Sequence, residues 1–457
     1  MKSVRPKAVH LIMTQVIKMN DYINVIGAGL AGVEAANIIA SNGIKVHLYE
    51  MKPEKYSPAH KSSMFAELIC SNSLKAARIN SAAGLLKEEM RRLGSLLVPC
   101  ALKSAVPAGG ALAVDRDVFS SLATEAVMGN PLITVIREEV VCIPDDAITI
   151  IASGPLTDGK LSEAISELCG GFLSFYDAAA PIVSAESINM ERCFTASRYD
   201  RGESDYINCP MNKAEYESFI SELVSAERAP VHDFDVNNPK VYEGCMPVEV
   251  MAQRGPETLR FGPLKPVGLV DPNTGHRPWA VVQLRTENSE RSMFNLVGFQ
   301  TNLKFPEQRR VFRLIPGLEN AEFVRYGVMH RNTFLNSPEL LDADFSLRSN
   351  KNIFFAGQIT GVEGYMESAA SGLMAGINAV RRFKGITEAA VLPATTMIGA
   401  LSGYISSSET SDFQPMGANF GVLPPLETKI RDKQLRYTKL SERALTDLEE
   451  MKVKFDI

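Results

Sequence analysis

Cys70 and Cys245 are the side chains whose surroundings best suit them to act as nucleophiles. Cys70 stands in Met64-Phe65-Ala66-Glu67-Leu68-Ile69-Cys70-Ser71-Asn72-Ser73-Leu74, followed by small hydrogen-bonding residues. Cys245 stands in Glu243-Gly244-Cys245-Met246-Pro247-Val248-Glu249, where the flanking glycine and proline make a rigid turn that presents a side chain. A thiol attacks as its thiolate and ordinarily ionises near pH ~8.5, so either residue needs a cationic or dipolar neighbour. On spacing alone, a buried structural thiol is the commoner role for each and a nucleophile the sharper one. Cys142, Cys169 and Cys193 sit in apolar or helical runs and read as structural. The seven cysteines include no Cys-x-x-Cys pair. Neither a zinc ribbon nor a dithiol redox site is indicated, no metal site is expected, and a reduced, cytoplasmic setting fits.

Two glycine-rich turns at opposite ends of the chain must position this chemistry. In the first, Tyr22-Ile23-Asn24-Val25-Ile26 runs into Gly27-Ala28-Gly29-Leu30-Ala31-Gly32 and then an alanine-rich helix. Gly27 permits the tight turn, Gly29 lets a pyrophosphate approach the backbone, and Gly32 lets helix and strand pack closely. The helix start offers N–H groups and a positive dipole end to phosphate. Lys45-Val46-His47-Leu48-Tyr49-Glu50 reads as the second strand, with Glu50 placed to bind ribose hydroxyls. A lone Gly-x-Gly-x-x-Gly is weak, but strand, helix, strand and terminal acid in order make a chance loop the minor reading.

The distal turn is Asn352-Ile353-Phe354-Phe355-Ala356-Gly357-Gln358-Ile359-Thr360-Gly361-Val362-Glu363-Gly364-Tyr365, again a strand leading into a small-residue helix. Two such turns resemble the two-dinucleotide-binding flavoproteins, which implies FAD rather than NAD as the resident cofactor, with Gly357, Gln358, Gly361 and Gly364 beside it. Close packing of two helices would account for Gly372 and Gly376 but not for the other three glycines together.

At 457 residues the chain exceeds one ordinary core. Its 45% hydrophobic and 22% charged content is that of a globular protein. No apolar run approaches the roughly 20 residues of a membrane span. With a net charge of −5, nucleic-acid binding requires a local basic face.

The expected fold is α/β, a Rossmann-type FAD-binding domain of the glutathione-reductase kind carrying an inserted α+β domain. Residues 1–20, basic and without an acid, read as an extension without regular structure. Residues 21–160 form the first part of the FAD-binding domain, 161–335 the insertion, 336–440 the second part and 441–457 a tail. Helices are expected at 81–97, after Asp115 and at 212–227. Strands are expected at 147–152, 280–285 and 293–299, with an irregular stretch from Lys52 to Asn72.

These motifs together closely resemble the folate- and FAD-dependent tRNA (uracil-5-)-methyltransferases, smaller relatives of the GidA flavoproteins. The resemblance covers about residues 22 to 440. It rests on the loop at 27–32, Cys-Ser-Asn-Ser-Leu at 70–74, Glu-Gly-Cys-Met-Pro-Val-Glu at 243–249 and the distal turn. Arg260-Phe261-Gly262-Pro263-Leu264-Lys265-Pro266-Val267-Gly268-Leu269 and Asn295-Leu296-Val297-Gly298-Phe299-Gln300-Thr301-Asn302-Leu303 extend it. The resemblance implies 5,10-methylenetetrahydrofolate as one-carbon donor, NADH or NADPH as electron source, and the T-arm of tRNA as substrate. It assigns Cys245 as nucleophile and Cys70 as the second essential thiol, and the sequence leaves open which thiol does which. It also implies an imidazole against the pterin, for which His330 is the best placed of the six histidines.

For RNA, Lys304, Arg309, Arg310 and Arg313 stand against the single acid Glu307, interleaved with Phe305 and Phe312. Such a run suits phosphates and an exposed base, and suits a solvated helix face equally. A GidA-type wobble-uridine modifier is the alternative enzyme, but those chains carry a large C-terminal helical domain for which the tail after 427 is too short. A non-catalytic flavin-binding RNA protein would need neither thiol. A pyridine-nucleotide-disulfide reductase lacks its cysteine pair.

Overall fold

The structure, a computed structural model, describes residues 20–200, 204–230, 246–408 and 413–457. The extension expected at 1–20 therefore lies almost wholly outside the described residues, as does Cys245.

Tyr22–Ile26 forms the strand expected of it because its apolar residues are buried on both faces, between neighbours on either side. It lies at the centre of a six-stranded sheet ordered Ser346–Leu347, Asn350–Phe355, Thr149–Ile151, Tyr22–Ile26, Lys45–Tyr49, Ile133–Ile136. All neighbours pair in parallel except the first two, whose short connection allows only a hairpin. Both glycine turns sit at the C-terminal ends of parallel strands, Tyr22–Ile26 and Asn350–Phe355, which flank Thr149–Ile151 on either side. Doubly wound sheets bind their ligands there.

The helices that follow the turns, Leu30–Ser41 and Tyr365–Phe383, pack on each other at backbone contact. A Cβ on Gly372 would lie 2.0 Å from the Ala31 carbonyl oxygen, and one on Gly376 would lie 2.2 Å from the Ile38 side chain. Those two glycines serve the helix pair. Two buried carboxylates pin further helices to this core. Glu34 accepts from the Leu96 and Leu97 amides at the start of helix Leu97–Lys103, and Glu89 accepts from those of Met397 and Ile398 at the start of Met397–Ser406.

A second, wholly antiparallel sheet runs Phe194–Thr195, Tyr206–Met211, Ala280–Thr286, Met293–Leu296, Ile182–Ser184, Phe323–Arg325. Helices Lys213–Ser225 and Phe305–Phe312 cover it through Phe219, Phe299 and Phe312. Asn212 and Glu215 close the capping box that starts the first of these helices. Cys193 and Cys209 meet inside this core at 3.6 Å, a pairing that their spacing did not announce.

Leu173–Ala178 and Met329–Phe334 pair as a two-stranded ladder at the root of the second sheet. Helix Gly159–Cys169 buries Leu161 and Ile165 against Ile26, Ile151 and Phe355 of the first sheet. The expected boundaries at 161 and 335 therefore move inward to about this ladder. The expected break at 440 falls inside one helix, Lys433–Phe455, which buries Leu440, Ala444, Leu448 and Phe455 in the first core. The helix expected over 81–97 is two, Ala82–Arg92 and Leu97–Lys103, separated at Gly94, whose φ is +85°.

Candidate active site

A cleft of roughly 1440 Å³, solvent mouth included, opens at the ends of the central strands, with Gly27, Gly29, Glu50, Cys70, Gly357 and Tyr365 among its walls. The three glycines of the first turn differ in what surrounds them. Gly27 has φ +98° and no room for a Cβ, which would meet the Ala152 carbonyl oxygen at 2.6 Å. A Cβ on Gly32 would fall 1.7 Å from the Gly27 carbonyl oxygen. One on Gly29 would meet nothing within 4 Å, because its bare face looks into the cleft. No side chain caps either helix start, at Gly29 or at Gly364. Such open N–H groups and bare backbone fit a dinucleotide pyrophosphate.

Glu50 is 7% exposed and its oxygens accept from the Ala28 amide at 2.9 Å and the Lys52 amide at 3.0 Å. Each oxygen retains a second acceptor site, so a carboxylate anchored to the turn remains able to receive a ribose hydroxyl. Leu30, Ala31 and Gln358 also line the cleft. Gly361 and Gly364 do not. A Cβ on Gly361 would strike the Phe413 ring, and one on Gly364 the Glu367 carboxylate, so both are turn positions that aim the distal helix.

Cys70 is half-buried on the cleft wall. The Tyr365 hydroxyl oxygen accepts from the Cys70 amide at 2.8 Å and the Ser71 amide at 3.2 Å, and lies 3.0 Å from the Cys70 sulfur. Both lone pairs are thereby taken, which leaves the phenolic proton for the sulfur. Burial, reinforced by Cys70, holds the Tyr365 pKa well above the usual phenol range, so that proton stays in place.

Three arginines gather about this segment. Arg285 donates to Asn72 Oδ1 at 3.0 Å and Ser71 Oγ at 2.9 Å. Arg116 donates to the Leu68 and Ile69 carbonyls and pairs with Glu287 at 2.8 Å. Arg325 lies within electrostatic reach of Cys70, Tyr365, Arg116 and Glu287. Burial, with Arg116 beside Arg325, lowers the pKa of its guanidinium, and burial lowers that of Arg285. Three guanidiniums against Glu287 leave positive charge in excess beside a thiol, the kind of neighbour that a reactive cysteine requires. Tyr365, Arg116 and Arg285 were missed from sequence, and Arg325 was read there only as an extension of the basic run at 304–313. Tyr365 stood at the end of the quoted distal turn, but nothing linked it to a cysteine 295 positions away.

His330 takes a place in the strand Met329–Phe334, opposite Asp177, two residues before the cleft-lining Asn332. The basic run at 304–313 is helical over Phe305–Phe312, and two of its four cations are paired with carboxylates. Lys304 pairs with Glu227 at 2.6 Å, Arg310 with Glu307 and Glu222, and Arg313 donates to the Ala321 carbonyl. Arg309 instead donates to the Tyr326 hydroxyl at 2.6 and 3.2 Å.

Residues 22–387 match the family model described as glucose inhibited division protein A. A relative from Acetivibrio thermocellus is 62% identical over 438 residues, covering 96% of this chain and 100% of its own. One from Desulfitobacterium hafniense is 60% identical over 431 residues, covering 94% and 98%. Both bear the name methylenetetrahydrofolate–tRNA-(uracil-5-)-methyltransferase TrmFO. Among solved structures, Aquifex aeolicus GidA superposes with a TM-score of 0.69 at 15% identity, over 94% of this chain and 73% of its own. At that identity the likeness speaks for the α/β flavoprotein fold.

Proposed function

This chain belongs to the glucose inhibited division protein A family, among its folate-dependent tRNA (uracil-5-)-methyltransferases, and we propose that it methylates C5 of the T-loop uridine at position 54 of tRNA. The carrying observation is near-full-length identity of 62% to an enzyme of that name, in a chain whose structure brings both glycine turns and Cys70 to one cleft. FAD and 5,10-methylenetetrahydrofolate are the groups this reading requires. Reduced FAD supplies the two electrons that convert a transferred methylene to methyl, and NADH or NADPH restores them. Gly27 to Gly32, Glu50, Gly357 and Gln358 would hold the dinucleotide.

Uracil C5 becomes nucleophilic only when a thiolate adds at C6. The sulfur–C6 bond forms, and the C5–C6 π pair moves toward O4 as an enolate. C5 then bonds the one-carbon unit as the unit's bond to one folate nitrogen opens. A base removes the C5 proton while the remaining carbon–nitrogen bond breaks, which frees tetrahydrofolate and leaves an exocyclic methylene. Two electrons and a proton, which reduced FAD would supply when bound, convert that methylene to methyl, and the electron pair returning to C5–C6 expels the thiolate. Cys245 is proposed as that thiolate and Cys70, held by Tyr365, as the second thiol that serves the C5 proton or the flavin side. His330 is proposed to lie against the pterin. A tRNA substrate and reduced thiols fit a cytoplasmic location.

Incubating the FAD-loaded protein with unmodified tRNA, methylenetetrahydrofolate and NADPH tests the reading. Mass analysis of nuclease fragments should find one added methyl group on the T-loop fragment. A modification confined to the anticodon fragment would favour the wobble-uridine alternative, and an unmodified T-loop overturns the assignment.

A further inference from the structure

The second sheet ends at Phe323–Arg325, which pairs only with Ile182–Ser184 and so presents an edge. Its last residue, Arg325, lies within electrostatic range of Cys70 and Tyr365. The nearby acid, Glu287, is taken by Arg116, and the Arg325 side chain has no hydrogen bond or ion pair among the described residues. Withdrawing a guanidinium from water without a partner is costly, and an arriving anion removes that cost.

The next residue, Tyr326, is the middle ring of a three-ring stack. Phe305 lies on one side of it, with centroids 4.6 Å apart and planes at 15°, and Phe323 lies 5.2 Å away at 10°. Phe305 is 50% exposed, so an aromatic surface at the end of the stack meets solvent. Arg309 braces the stack by its two hydrogen bonds to the Tyr326 hydroxyl. Its neighbours Lys304 and Arg310 are held by glutamates, whereas Arg309 has no carboxylate partner among the described residues. Parallel rings ending at solvent, beside guanidiniums not matched by carboxylates, complement flat bases and phosphates.

We propose that this sheet edge is a subsite for the single-stranded loop of the tRNA. Arg325 takes a backbone phosphate beside the target uridine, and the Phe305–Tyr326–Phe323 stack, flanked by Arg309, takes a neighbouring unpaired base. The proposal rests on the tRNA substrate reached above. Arg325 and Tyr326 are consecutive in the chain, so both parts of the subsite lie at the same end of this sheet edge. Stacking accepts any base, so this subsite supplies grip and orientation while the cleft supplies chemistry.

The test uses FAD-loaded protein and a fluorescent T-arm hairpin, with affinity measured across a salt series. Phe305→Leu keeps an apolar side chain and removes the flat ring, whereas Phe305→Tyr keeps the ring. Phe305→Leu should weaken binding about tenfold with little change in salt slope, and Phe305→Tyr should bind like the wild type. Arg325→Gln should lower the slope of log affinity against log salt by about 0.7–0.9. The flavin spectrum and melting temperature of each variant should match the wild type, which separates lost contact from lost fold. Wild-type affinity in Phe305→Leu, or equal losses in Phe305→Leu and Phe305→Tyr, overturns the stacking platform. An unchanged slope in Arg325→Gln overturns the phosphate contact. Failure of the wild type itself to bind the hairpin overturns the substrate reading, and the subsite with it.

Discussion

The Tyr365 hydroxyl stands 3.0 Å from the Cys70 sulfur while accepting the Cys70 and Ser71 amides, so one oxygen fixes the turn of the cysteine and offers it a proton donor. A donor aimed at sulfur favours the thiolate over the thiol. Tyr365→Phe removes only that oxygen. Alkylation of Cys70 in the FAD-loaded variant should shift to higher pH, and methyl transfer should fall roughly tenfold to a hundredfold, with flavin still bound. An unshifted alkylation profile would reduce Tyr365 to a packing residue.

The first glycine turn separates a binding role from a folding role. Gly29→Val meets no protein atom, so the variant should fold with a near-wild-type melting temperature and purify without flavin. Gly32→Ala drives a methyl into the Gly27 carbonyl and should destabilise the protein by several kcal/mol, ~2–4 by analogy with other strained or overpacked sites. Full flavin occupancy in Gly29→Val would remove the pyrophosphate from that loop.

Cys245→Ala should abolish methyl transfer and leave FAD bound, because Cys245 is remote in sequence from both glycine turns. T-arm RNA containing 5-fluorouridine should form a covalent adduct with the wild type, since fluorine cannot leave C5 as a proton does. An adduct that persists in Cys245→Ala and vanishes in Cys70→Ala reverses the two roles.

Arg309 and Arg310 adjoin in sequence but differ in what they hold. Arg309→Gln should lower the salt slope of RNA binding by about 0.7–0.9, while Arg310→Gln leaves it near the wild-type value. The reverse ranking would show that the glutamates release Arg310 to the RNA.

Burial pushes the pKa of Glu89 up to about 8 and that of Glu34 up to about 7, each against hydrogen bonds that favour the charged form. In the unfolded chain both titrate near ~4.3, so across the interval the fold holds protons that the unfolded chain has lost. Stability should therefore fall as pH rises, by about 1.4 kcal/mol per unit for each group from about pH 5 to its own folded pKa, so that Glu34 contributes up to about 7 and Glu89 up to about 8. Melting measured across this range should slope downward, and less steeply in Glu89→Gln. Equal slopes would show Glu89 charged throughout.

Much of the first sheet was legible because its signals are local. Tyr22–Ile26, the glycine turn, the helix after it and Lys45–Tyr49 announce themselves by apolar runs and by the backbone freedom that only glycine supplies. Asp115 likewise marked its helix, since a cap is read within three or four residues. The bounds of the insertion were less legible. Gly159–Cys169 has the pattern of any amphipathic helix, and only its docking on Ile26 and Phe355 assigns it to the first sheet.

The site divides the same way. The sequence by itself determined that two glycine-rich strand–turn–helix units exist and marked Cys70 and Cys245 as the candidate thiols, because each is a short-range pattern of residue types. Only the tertiary structure decided that Tyr365 holds Cys70, that Gly361 and Gly364 shape a turn rather than line the cleft, and that Arg310 is neutralised by Glu222 while Arg309 is not. Whether a charge is spent or available depends on which partner lies within a few ångströms. Residues 88 positions apart, such as Glu222 and Arg310, acquire that relation only when helix Lys213–Ser225 and helix Phe305–Phe312 are laid on the same sheet.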